Sequence, residues 1–382
     1  MDRAQLINVL RATGCAEERD GFVFLRDPAV AASSVFPESR IENQKSKTPS
    51  GWLCVASGGT SGAPKFARHD EGTLMAAVRG FCAHFDLARV NAVDVLPAFH
   101  VSGLMARVRC AATGGEHLAW DWKRLEAGEL PAAPRAGEPW VISLVPTQLH
   151  RLLGRAESVA WLRRFEIIFV GGGPLWAELA EAAARAEMRL APSTGMTETA
   201  AMVAALRPQE FLAGARSSGS PLPHARVSID LDGVVRVSGD SVFHGYFPET
   251  NQAREFATED LGRIDERGHL HLLGRRDAVI ITGGKKVQPE RVEALLRGSG
   301  EFGDVAVIGV SDAEWGEVVV ACYPGDTGAP DFARAMAELD AHERPKRFIA
   351  IADWPRNAQG KVNRAALRAS VARHFLGVKT GA

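Results

Sequence analysis

At 382 residues the chain is long enough for about two domains, each with its own core. Its 45 Lys and Arg residues nearly balance 46 Asp and Glu residues, which leaves a formal net charge of -1. That balance argues against nucleic acid or an anionic membrane surface as a partner, and a small anionic ligand fits better. No apolar run approaches the roughly 18 residues that span a bilayer, so no membrane span is expected.

The cysteines and the first residues bear on the compartment. The five cysteines form no C-x-x-C pair and stand mostly among apolar residues, which indicates reduced thiols. Reduced thiols are typical of a reducing compartment. The opening residues, MDRAQLINVL, lack the basic region and apolar core of a signal peptide. We therefore expect a cytoplasmic protein.

Strand-like and helix-like segments alternate through the first half of the chain. Apolar runs typical of buried strands are separated by segments with apolar residues at helical spacing. The predicted strands are 51–57, Val93–Leu96, Trp140–Val145 and Glu166–Val170, and the predicted helices are Gly72–Phe85 and Trp176–Met188. This alternation predicts α/β layers around a largely parallel sheet.

From Arg226 onward the pattern changes to pairs of alternating strands. Turns at Asp232–Gly233 and near Arg267–Gly268 each separate two such strands, which predicts a small antiparallel β region. Beyond it, helices starting at Pro289 and near Phe332 with two strands between them indicate an α+β unit.

The fold class that follows is α/β with two domains. We predict a large N-terminal α/β domain, including the small antiparallel region, over residues 1–277. We predict a small C-terminal α+β domain over residues 278–382.

The first segment suited to chemistry is Ser57-Gly-Gly-Thr-Ser-Gly-Ala-Pro-Lys65, directly after a predicted strand. Its glycines allow the backbone to approach a phosphate closely, its hydroxyl groups can donate to phosphate oxygens, and Lys65 adds a cation. The spacing is not that of a Walker A loop. A plain surface turn is the alternative interpretation.

The second segment is Ser193–Thr199, which places one carboxylate, Glu198, among hydroxyl groups. A single carboxylate beside phosphate oxygens is a common way for a protein to hold Mg²⁺. The alternative is a helix N-terminus capped by Thr197 or Ser193, with Glu198 in its first turn.

Two further segments lie towards the C-terminus. Gly274-Arg-Arg-Asp277 is followed by Thr282-Gly-Gly-Lys-Lys286, for which a salt-bridged turn and a hairpin are the simple interpretations. Pro355–Val362 is a loop rich in Pro, Asn and Gly that presents Lys361. On local sequence alone Lys361 is an ordinary exposed lysine.

Taken together, these segments resemble the motifs of the adenylate-forming superfamily of acyl-CoA synthetases, peptide-synthetase adenylation domains and luciferases. The similar segments follow the order of that family across about four-fifths of the chain. They are SGGTSGAPK (57–65), PAFHVSGL (97–104), VGGGPL (170–175), STGMTET (193–199), TEDLGRID (258–265), GRRDAVIITGGKKVQPERVE (274–293) and PRNAQGKVNR (355–364).

The resemblance implies ATP, Mg²⁺ and coenzyme A as ligands and assigns roles to individual residues. The triphosphate would be cradled by Ser57, Thr60, Ser61, Gly62 and Lys65. Thr197 would contact the α-phosphate and Glu198 would hold Mg²⁺, while Gly172, Gly173 and Thr194 would lie beside the adenine.

The resemblance also implies a two-step reaction with a mobile C-terminal domain. Asp260 and Arg275 would hold the ribose, and Asp277 would be the hinge. Lys361 would bridge ribose, carboxylate and α-phosphate in the first step. The pair Gly283 and Gly284 would line the pantetheine path in the second step.

Three positions depart from the family pattern and bear on nucleotide affinity. Thr194 stands where an aromatic residue usually stacks near the adenine, and Gly58 stands where a Ser is common. Glu259 stands where the ribose motif usually has Gly.

The segment after residue 97 is most similar to o-succinylbenzoate–CoA ligases of menaquinone synthesis, which implies a dicarboxylate substrate. His100 would lie at the acyl pocket, where a buried structural His is the alternative. Arg107 and Arg109, with Ser102, are candidates for the second carboxylate. For the two arginines we favour a solvated helix face, since Arg is mostly exposed.

Two alternatives stay open. One is a CoA ligase for another aryl or short acyl acid. The other is a non-catalytic nucleotide-binding paralogue, which the departures at Thr194 and Glu259 suggest and the retention of Lys361, Glu198 and Arg275 opposes. The sequence leaves the oligomeric state undetermined, and a homodimer is the hypothesis we carry forward.

Overall fold

The computed structural model describes residues 1–29, 50–57, 65–250, 253–356 and 362–377. It shows a mixed α/β protein with four sheets. None of the helices in these ranges combines the length and the apolar character needed to cross a membrane.

The first sheet is four-stranded and is covered by two helices. In chain order the elements are α1 (Arg3–Arg11), β1 (Ala16–Arg19), β2 (Phe22–Leu25), β3 (Leu53–Ser57), β4 (Lys65–His69) and α2 (Glu71–Phe85). Asp70 caps α2, since its carboxylate accepts from the Thr73 backbone N–H at 3.0 Å. The predicted helix 72–85 is confirmed.

The second sheet has seven strands, and its central pairs are parallel. The strands are β5 (Asn91–Asp94), β6 (His117–Ala119), β7 (Trp140–Leu144), β8 (Ile167–Val170), β9 (Leu190–Met196), β10 (Ala201–Ala205) and β11 (Ser220–Pro221). Strands β6, β5, β7, β8 and β9 pair in parallel, whereas β10 and β11 are antiparallel. The prediction of a largely parallel sheet is confirmed.

Six helices connect or flank these strands. They are α3 (Val101–Thr113), α4 (Trp122–Ala127), α5 (Pro146–Leu153), α6 (Ala156–Leu162), α7 (Ala177–Arg185) and α8 (Pro208–Leu212). β5 and β8 are buried along their whole length, as expected for strands covered on both faces. The core on one face centres on Trp140, Trp161 and Phe165.

The third sheet is antiparallel and follows the second directly. Its strands, in sheet and chain order, are β12 (Ala225–Ile229), β13 (Val234–Gly239), β14 (Glu255–Ile264) and β15 (Leu270–Arg275). Both predicted turns lie where expected, between β12 and β13 and between β14 and β15.

The fourth sheet belongs to the C-terminal segment. The elements are β16 (Ile280–Thr282), β17 (Lys285–Val287), α9 (Pro289–Gly298), β18 (Ala306–Asp312), β19 (Gly316–Pro324), α10 (Phe332–Ala335), β20 (Arg347–Ile351) and α11 (Arg364–Gly377). Alternate residues of β18 face opposite cores: Val307 packs with Val292 of α9, and Ile308 with Leu367 of α11. The helix predicted near Phe332 is present and is only 4 residues long.

Candidate active site

The segment Ser193–Thr199 forms the end of a strand and a tight turn. β9 ends at Met196, and a single 3-10 turn covers Thr197–Thr199 before β10 begins. The alternative of a helix capped by Thr197 or Ser193 is therefore wrong, because Ser193 lies inside the strand and no α-helix follows it.

Glu198 is buried in this turn with 8% of its surface exposed. The hydroxyl group of Tyr246 donates to its Oε1 atom at 2.6 Å. The backbone N–H of Phe243 donates to the Glu198 carbonyl at 2.9 Å. Burial raises the pKa of the Tyr246 phenol, and the adjacent Glu198 carboxylate adds to that rise. The segment after β13 thus holds Glu198 by both its backbone and its side chain.

The backbone carbonyl of Thr197 is held by a fully buried histidine, His69. His69 Nε2 lies 2.7 Å from the Thr197 carbonyl oxygen, and His69 Nδ1 lies 3.1 Å from the Thr73 hydroxyl group. Since a carbonyl only accepts, Nε2 carries the proton. Burial lowers the pKa of His69 to about 4, so the ring is neutral near pH 7. The turn is thereby tied to β4 and to the start of α2.

The two ends of the predicted phosphate loop face each other across a strand pair. Ser57 ends β3 and Lys65 begins β4, and the two residues are register partners. Lys65 Nζ lies 5.3 Å from the centroid of the Tyr246 ring, within cation–π range. Gly58, Thr60, Ser61 and Gly62 lie outside the described residues.

Asp260 and Arg275 are brought together by the antiparallel pair β14 and β15, where they are direct register partners. Arg275 Nη1 lies 3.6 Å from Asp260 Oδ1. Arg275 also donates to both oxygens of Asp277, at 2.8 and 2.7 Å. The simple interpretation of a salt-bridged turn is thus confirmed, and the same arginine also faces Asp260.

Asp260 lies in a cluster of carboxylates. Burial raises the pKa of its carboxyl group, and Arg275 opposes that rise. The charges of Asp277, Glu259 and Glu198 raise it further. Asp260 and Glu198 are far apart in sequence yet lie close enough to influence each other, so the structure places their motifs in one site.

Glu259, the departure in the ribose motif, is neutralised locally. Arg276 donates to both of its oxygens, at 3.0 and 2.9 Å, on the exposed side of β14. The extra negative charge therefore has its own cation beside it.

The predicted adenine side lies at the carboxyl ends of β8 and β9. Gly172 and Gly173 follow β8 and are exposed, and Gly172 has a φ of +76° that favours glycine. Thr194, which replaces an aromatic residue, is buried and donates to the Ser218 hydroxyl group at 3.1 Å. The residue at this position is therefore buried in β9 and already hydrogen-bonded.

The predicted acyl-side residues lie on or beside α3. His100 is the residue before this helix, and its ring contacts Phe99 at 4.5 Å between centroids. Ser102 is half-buried in the first turn. The expectation of a solvated arginine face is wrong for Arg109, which is 5% exposed because Phe81 of α2 lies 4.0 Å from its guanidinium.

Arg109 is an unusual buried cation. Burial lowers its pKa to about 10, and among the described residues its Nε atom has no hydrogen-bond partner. Within the described part of the chain, the Nε atom of this buried charge thus lacks a partner, which is costly for a charged group.

A cleft of about 450 Å³ lies at the carboxyl ends of β5, β6 and β7. Ligands of α/β sheets bind at this edge. Arg107, Lys123 and Arg151 line the cleft together with the indole rings of Trp120 and Trp122. Arg107, half-buried, thus faces a cavity and not bulk solvent alone.

The C-terminal predicted residues lie on exposed backbone. Gly283 and Gly284 connect β16 and β17 as a two-residue hairpin, with φ of +55° and +75°. The hairpin interpretation is confirmed. The Gly283 N–H donates to the Trp315 carbonyl at 2.9 Å, and Asp277 is exposed just before β16. Lys361 lies outside the described residues.

The donor set around Glu198 fits a magnesium ion better than a transition metal. The residues that the structure describes contain no group of three or more His, Cys, Asp or Glu side chains able to hold a metal. Mg²⁺ binds with one or two carboxylates and completes its shell with water and phosphate oxygens. Glu198 supplies one carboxylate of this kind, and the hydrogen bond from Tyr246 to its Oε1 atom holds that carboxylate in place.

Sequence reasoning missed Tyr246 and His69. Tyr246 is one of only two tyrosines in the chain, but it stands in no segment that we singled out. His69 follows the phosphate-loop segment closely, yet a histidine in a strand carries no signal of its own. Both matter through contacts that only the folded chain brings together.

Comparisons with known proteins agree with this geometry. Residues 28–247 match the family described as AMP-binding enzyme. The 2-succinylbenzoate–CoA ligase of Geobacillus kaustophilus is 32% identical over 332 residues, which cover 81% of this chain and 67% of the relative. The ligase of the same name from Listeria innocua is 30% identical over 287 residues, covering 72% of this chain and 60% of the relative. The chain thus falls short of two thirds of the Listeria relative's length.

The solved structures that this chain resembles include enzymes of the same kind. The o-succinylbenzoate CoA synthetase MenE of Bacillus subtilis, in complex with the acyl-adenylate intermediate OSB-AMP, matches with a TM-score of 0.71 at 25% identity, covering 84% of this chain and 69% of that one. A variant of Escherichia coli MenE with bound OSB-AMS also has a TM-score of 0.71, at 27% identity, covering 87% and 72%. The Bacillus enzyme has also been solved with ATP and a magnesium ion.

Proposed function

This chain belongs to the AMP-binding enzyme family, and from that premise we propose that it is an ATP-dependent acid–CoA ligase. It activates a carboxylic acid as acyl-AMP, releases pyrophosphate, and transfers the acyl group to the thiol of coenzyme A. The acid we propose is o-succinylbenzoate, as in the relatives named above.

The observation that carries the proposal is the convergence of two distant motifs. Glu198 and the Asp260–Arg275 pair come from different sheets, yet Phe243 links them. Its N–H donates to the Glu198 carbonyl, and its ring packs on Phe256 of β14, the strand that carries Asp260. Attack of a carboxylate on the α-phosphate joins two anions, so catalysis consists mainly of positioning and charge neutralisation. A site with a cation-binding carboxylate beside a ribose-binding pair suits that task.

On this proposal Lys65, with Ser57, Thr60, Ser61 and Gly62, holds the triphosphate. Glu198 holds Mg²⁺, and the bound ion neutralises charge on the phosphate oxygens. Thr197 donates its hydroxyl proton to the α-phosphate, while His69 holds the Thr197 carbonyl in place. Gly172, Gly173 and Thr194 form the adenine side.

Asp260 accepts from the ribose hydroxyl groups, and Arg275 holds Asp260 and the ribose together. Residues 1–277 form the ATP- and acyl-binding domain, and residues 278–382 form a lid that turns about Asp277. One orientation presents Lys361 for adenylation. The other presents the Gly283–Gly284 hairpin, whose lack of side chains leaves room for pantetheine.

For the acyl group, we propose that His100 and Ser102 line the pocket. The second carboxylate of a dicarboxylic acid needs a cation, and α3 carries two arginines that were candidates for this role. Arg109 is buried without a carboxylate partner among the described residues, and Arg107 faces the cleft. Residues two apart on a helix point to different faces, so we assign the distal carboxylate to Arg107, which faces the cleft.

The remaining proposals concern the cell and the assembly. We place the protein in the cytoplasm, where ATP and coenzyme A are available and its five cysteines stay reduced. We propose a homodimer, which sedimentation of the purified chain would test.

A panel of acids assayed for AMP release with ATP, Mg²⁺ and coenzyme A tests the function. We expect o-succinylbenzoate to give the highest kcat/KM. A simple benzoate ranking above it would overturn the substrate, and AMP release with none of the acids would overturn the activity. Arg107→Gln should raise the KM for the dicarboxylate far more than that for benzoate.

A further inference from the structure

Tyr246 contacts two charged groups of the site at once. Its hydroxyl group donates to Glu198 Oε1 at 2.6 Å, and its ring centroid lies 5.3 Å from Lys65 Nζ. Glu198 comes from the turn between β9 and β10, and Lys65 from the start of β4.

The tyrosine itself is held firmly. Its backbone forms an isolated β-bridge with Ala67 of β4. Phe243 packs edge-on against its ring, with centroids 4.9 Å apart. The backbone of Phe243 also donates to the Glu198 carbonyl. Tyr246 is therefore not a surface residue that happens to reach Glu198, because β4 and the Glu198 turn together fix its place.

A hydrogen bond of this kind restricts a carboxylate. A glutamate side chain has several rotamers, and a donor on Oε1 selects one and leaves Oε2 to face the other way. The face of a phenol ring likewise attracts an ammonium group and limits where it rests. One side chain can thus set the spacing between a cation-binding carboxylate and a phosphate-binding lysine.

We propose that Tyr246 is a positioning residue, which orients the Glu198 carboxylate for the magnesium ion and keeps the Lys65 ammonium beside the triphosphate. This inference rests on the proposed function, since it takes Glu198 as the residue that binds the ion. Tyr246 touches neither the acid nor the thiol on this account. Its effect should therefore appear in the binding of the metal–nucleotide pair.

The test compares Tyr246→Phe with Tyr323→Phe, the same change at the other tyrosine, which packs in the C-terminal core. Tyr246→Phe keeps the ring over Lys65 and removes the hydroxyl group. The readout is Mn²⁺ binding in the presence of a non-hydrolysable ATP analogue, followed by electron paramagnetic resonance. We expect the Mn²⁺ dissociation constant to rise about tenfold in Tyr246→Phe, as for loss of a hydrogen bond to a charged group. In Tyr323→Phe it should stay unchanged.

A double-mutant cycle separates positioning from general packing. If Tyr246 acts through Glu198, then Tyr246→Phe should weaken Mn²⁺ binding in the wild-type background and have no further effect in the Glu198→Gln background. Equal effects in both backgrounds would overturn the inference. So would an unchanged dissociation constant in Tyr246→Phe.

A third measurement leaves the hydroxyl group intact. In the Tyr323→Phe background, labelling with fluorotyrosine gives one fluorine resonance, from Tyr246. We expect Glu198→Gln and Lys65→Met each to shift this resonance. An unmoved resonance in both variants would contradict the proposed contacts.

Calorimetry with the ATP analogue separates this inference from the proposed function. Failure of the wild-type protein to bind the analogue would overturn the proposed function. Normal binding by the wild-type protein, with Mn²⁺ binding unaffected in Tyr246→Phe, would overturn this inference alone.

Discussion

The two regions assigned to one reaction are built in contrasting ways. Around Glu198 the groups are buried and each is held by a neighbour: Tyr246 fixes the carboxylate and His69 fixes the adjacent carbonyl. From Asp277 to the Gly283–Gly284 hairpin, exposed residues alternate with the buried Ile280 and Thr282, and Asp277 forms an ion pair with Arg275 near the surface.

The difference separates the tasks of a two-step reaction. Groups that stabilise charge work best when they are fixed before the reaction begins, because no reorganisation is then needed. A segment that must change partners between steps is better placed on the surface, where ion pairs contribute little and are easily exchanged. The arrangement supports a rigid nucleotide site served by a mobile C-terminal segment.

Removing the negative charge of Glu198 should have the largest effect on the rate of adenylation. Glu198→Gln is expected to slow acid-dependent ATP/pyrophosphate exchange by about 10²–10³-fold, the usual loss for one electrostatic group in a site. Thioester formation from supplied acyl-AMP should fall far less, since in that step a thiol attacks the acyl carbonyl and no anion attacks the α-phosphate. An equal loss in both half-reactions would mean that Glu198 supports the fold and not the ion.

The buried histidines should make stability depend on pH. Burial lowers the pKa of His69 to about 4, and burial together with Arg109 lowers that of His224 to about 4. The unfolded chain binds these protons at an ordinary histidine pKa, about 6.5, so stability is lost as pH falls from there towards 4.

For His69 alone the loss is on the order of 3 kcal/mol. Denaturant unfolding between pH 7 and pH 4 would measure it, with His69→Gln expected to flatten the profile. The same change at the exposed His150 is the control. Identical profiles for both variants would contradict the assignment.

The Asp260–Arg275 pair should give a smaller effect. Arg275→Lys keeps the charge but cannot bond both oxygens of Asp277 and also face Asp260. We expect nucleotide binding to weaken by about 1.5 kcal/mol, roughly tenfold, in calorimetric titrations with ATP. An unchanged affinity would place the ribose elsewhere.

The smallest effect should come from a change at Glu259, on the exposed side of β14. Glu259 forms a surface ion pair with Arg276, and such pairs are worth about 0–1 kcal/mol. Glu259→Gln should therefore leave the KM for ATP within about fivefold of the wild-type value. A large improvement would show instead that this departure from the family pattern weakens nucleotide binding.

Much of the fold could be predicted because local signals agreed. Pro289 marks the first residue of α9, as expected for Pro at a helix start, and the turn residues near Gly233 separate β12 from β13. Short strands contain too few residues for an alternating hydrophobic pattern to be recognised in the sequence. β6, with three residues, is one example, since its place depends on pairing with β5.

Within the site, sequence order identified the motifs but not their contacts. The Asp260–Arg275 pairing follows from one hairpin and lies within reach of sequence reasoning. The Tyr246–Glu198 bond joins residues 48 positions apart and depends on how two sheets meet. Arg109 was misjudged for a related reason: α2 covers its face of α3, and composition alone does not show which helix face is covered.

The half-reactions of Lys361→Ala test most directly whether a mobile lysine serves a rigid nucleotide site. With an unchanged unfolding midpoint, the variant should lose acid-driven ATP/pyrophosphate exchange and keep thioester formation from supplied acyl-AMP and coenzyme A. Loss of both half-reactions together, or retention of exchange, would contradict the account.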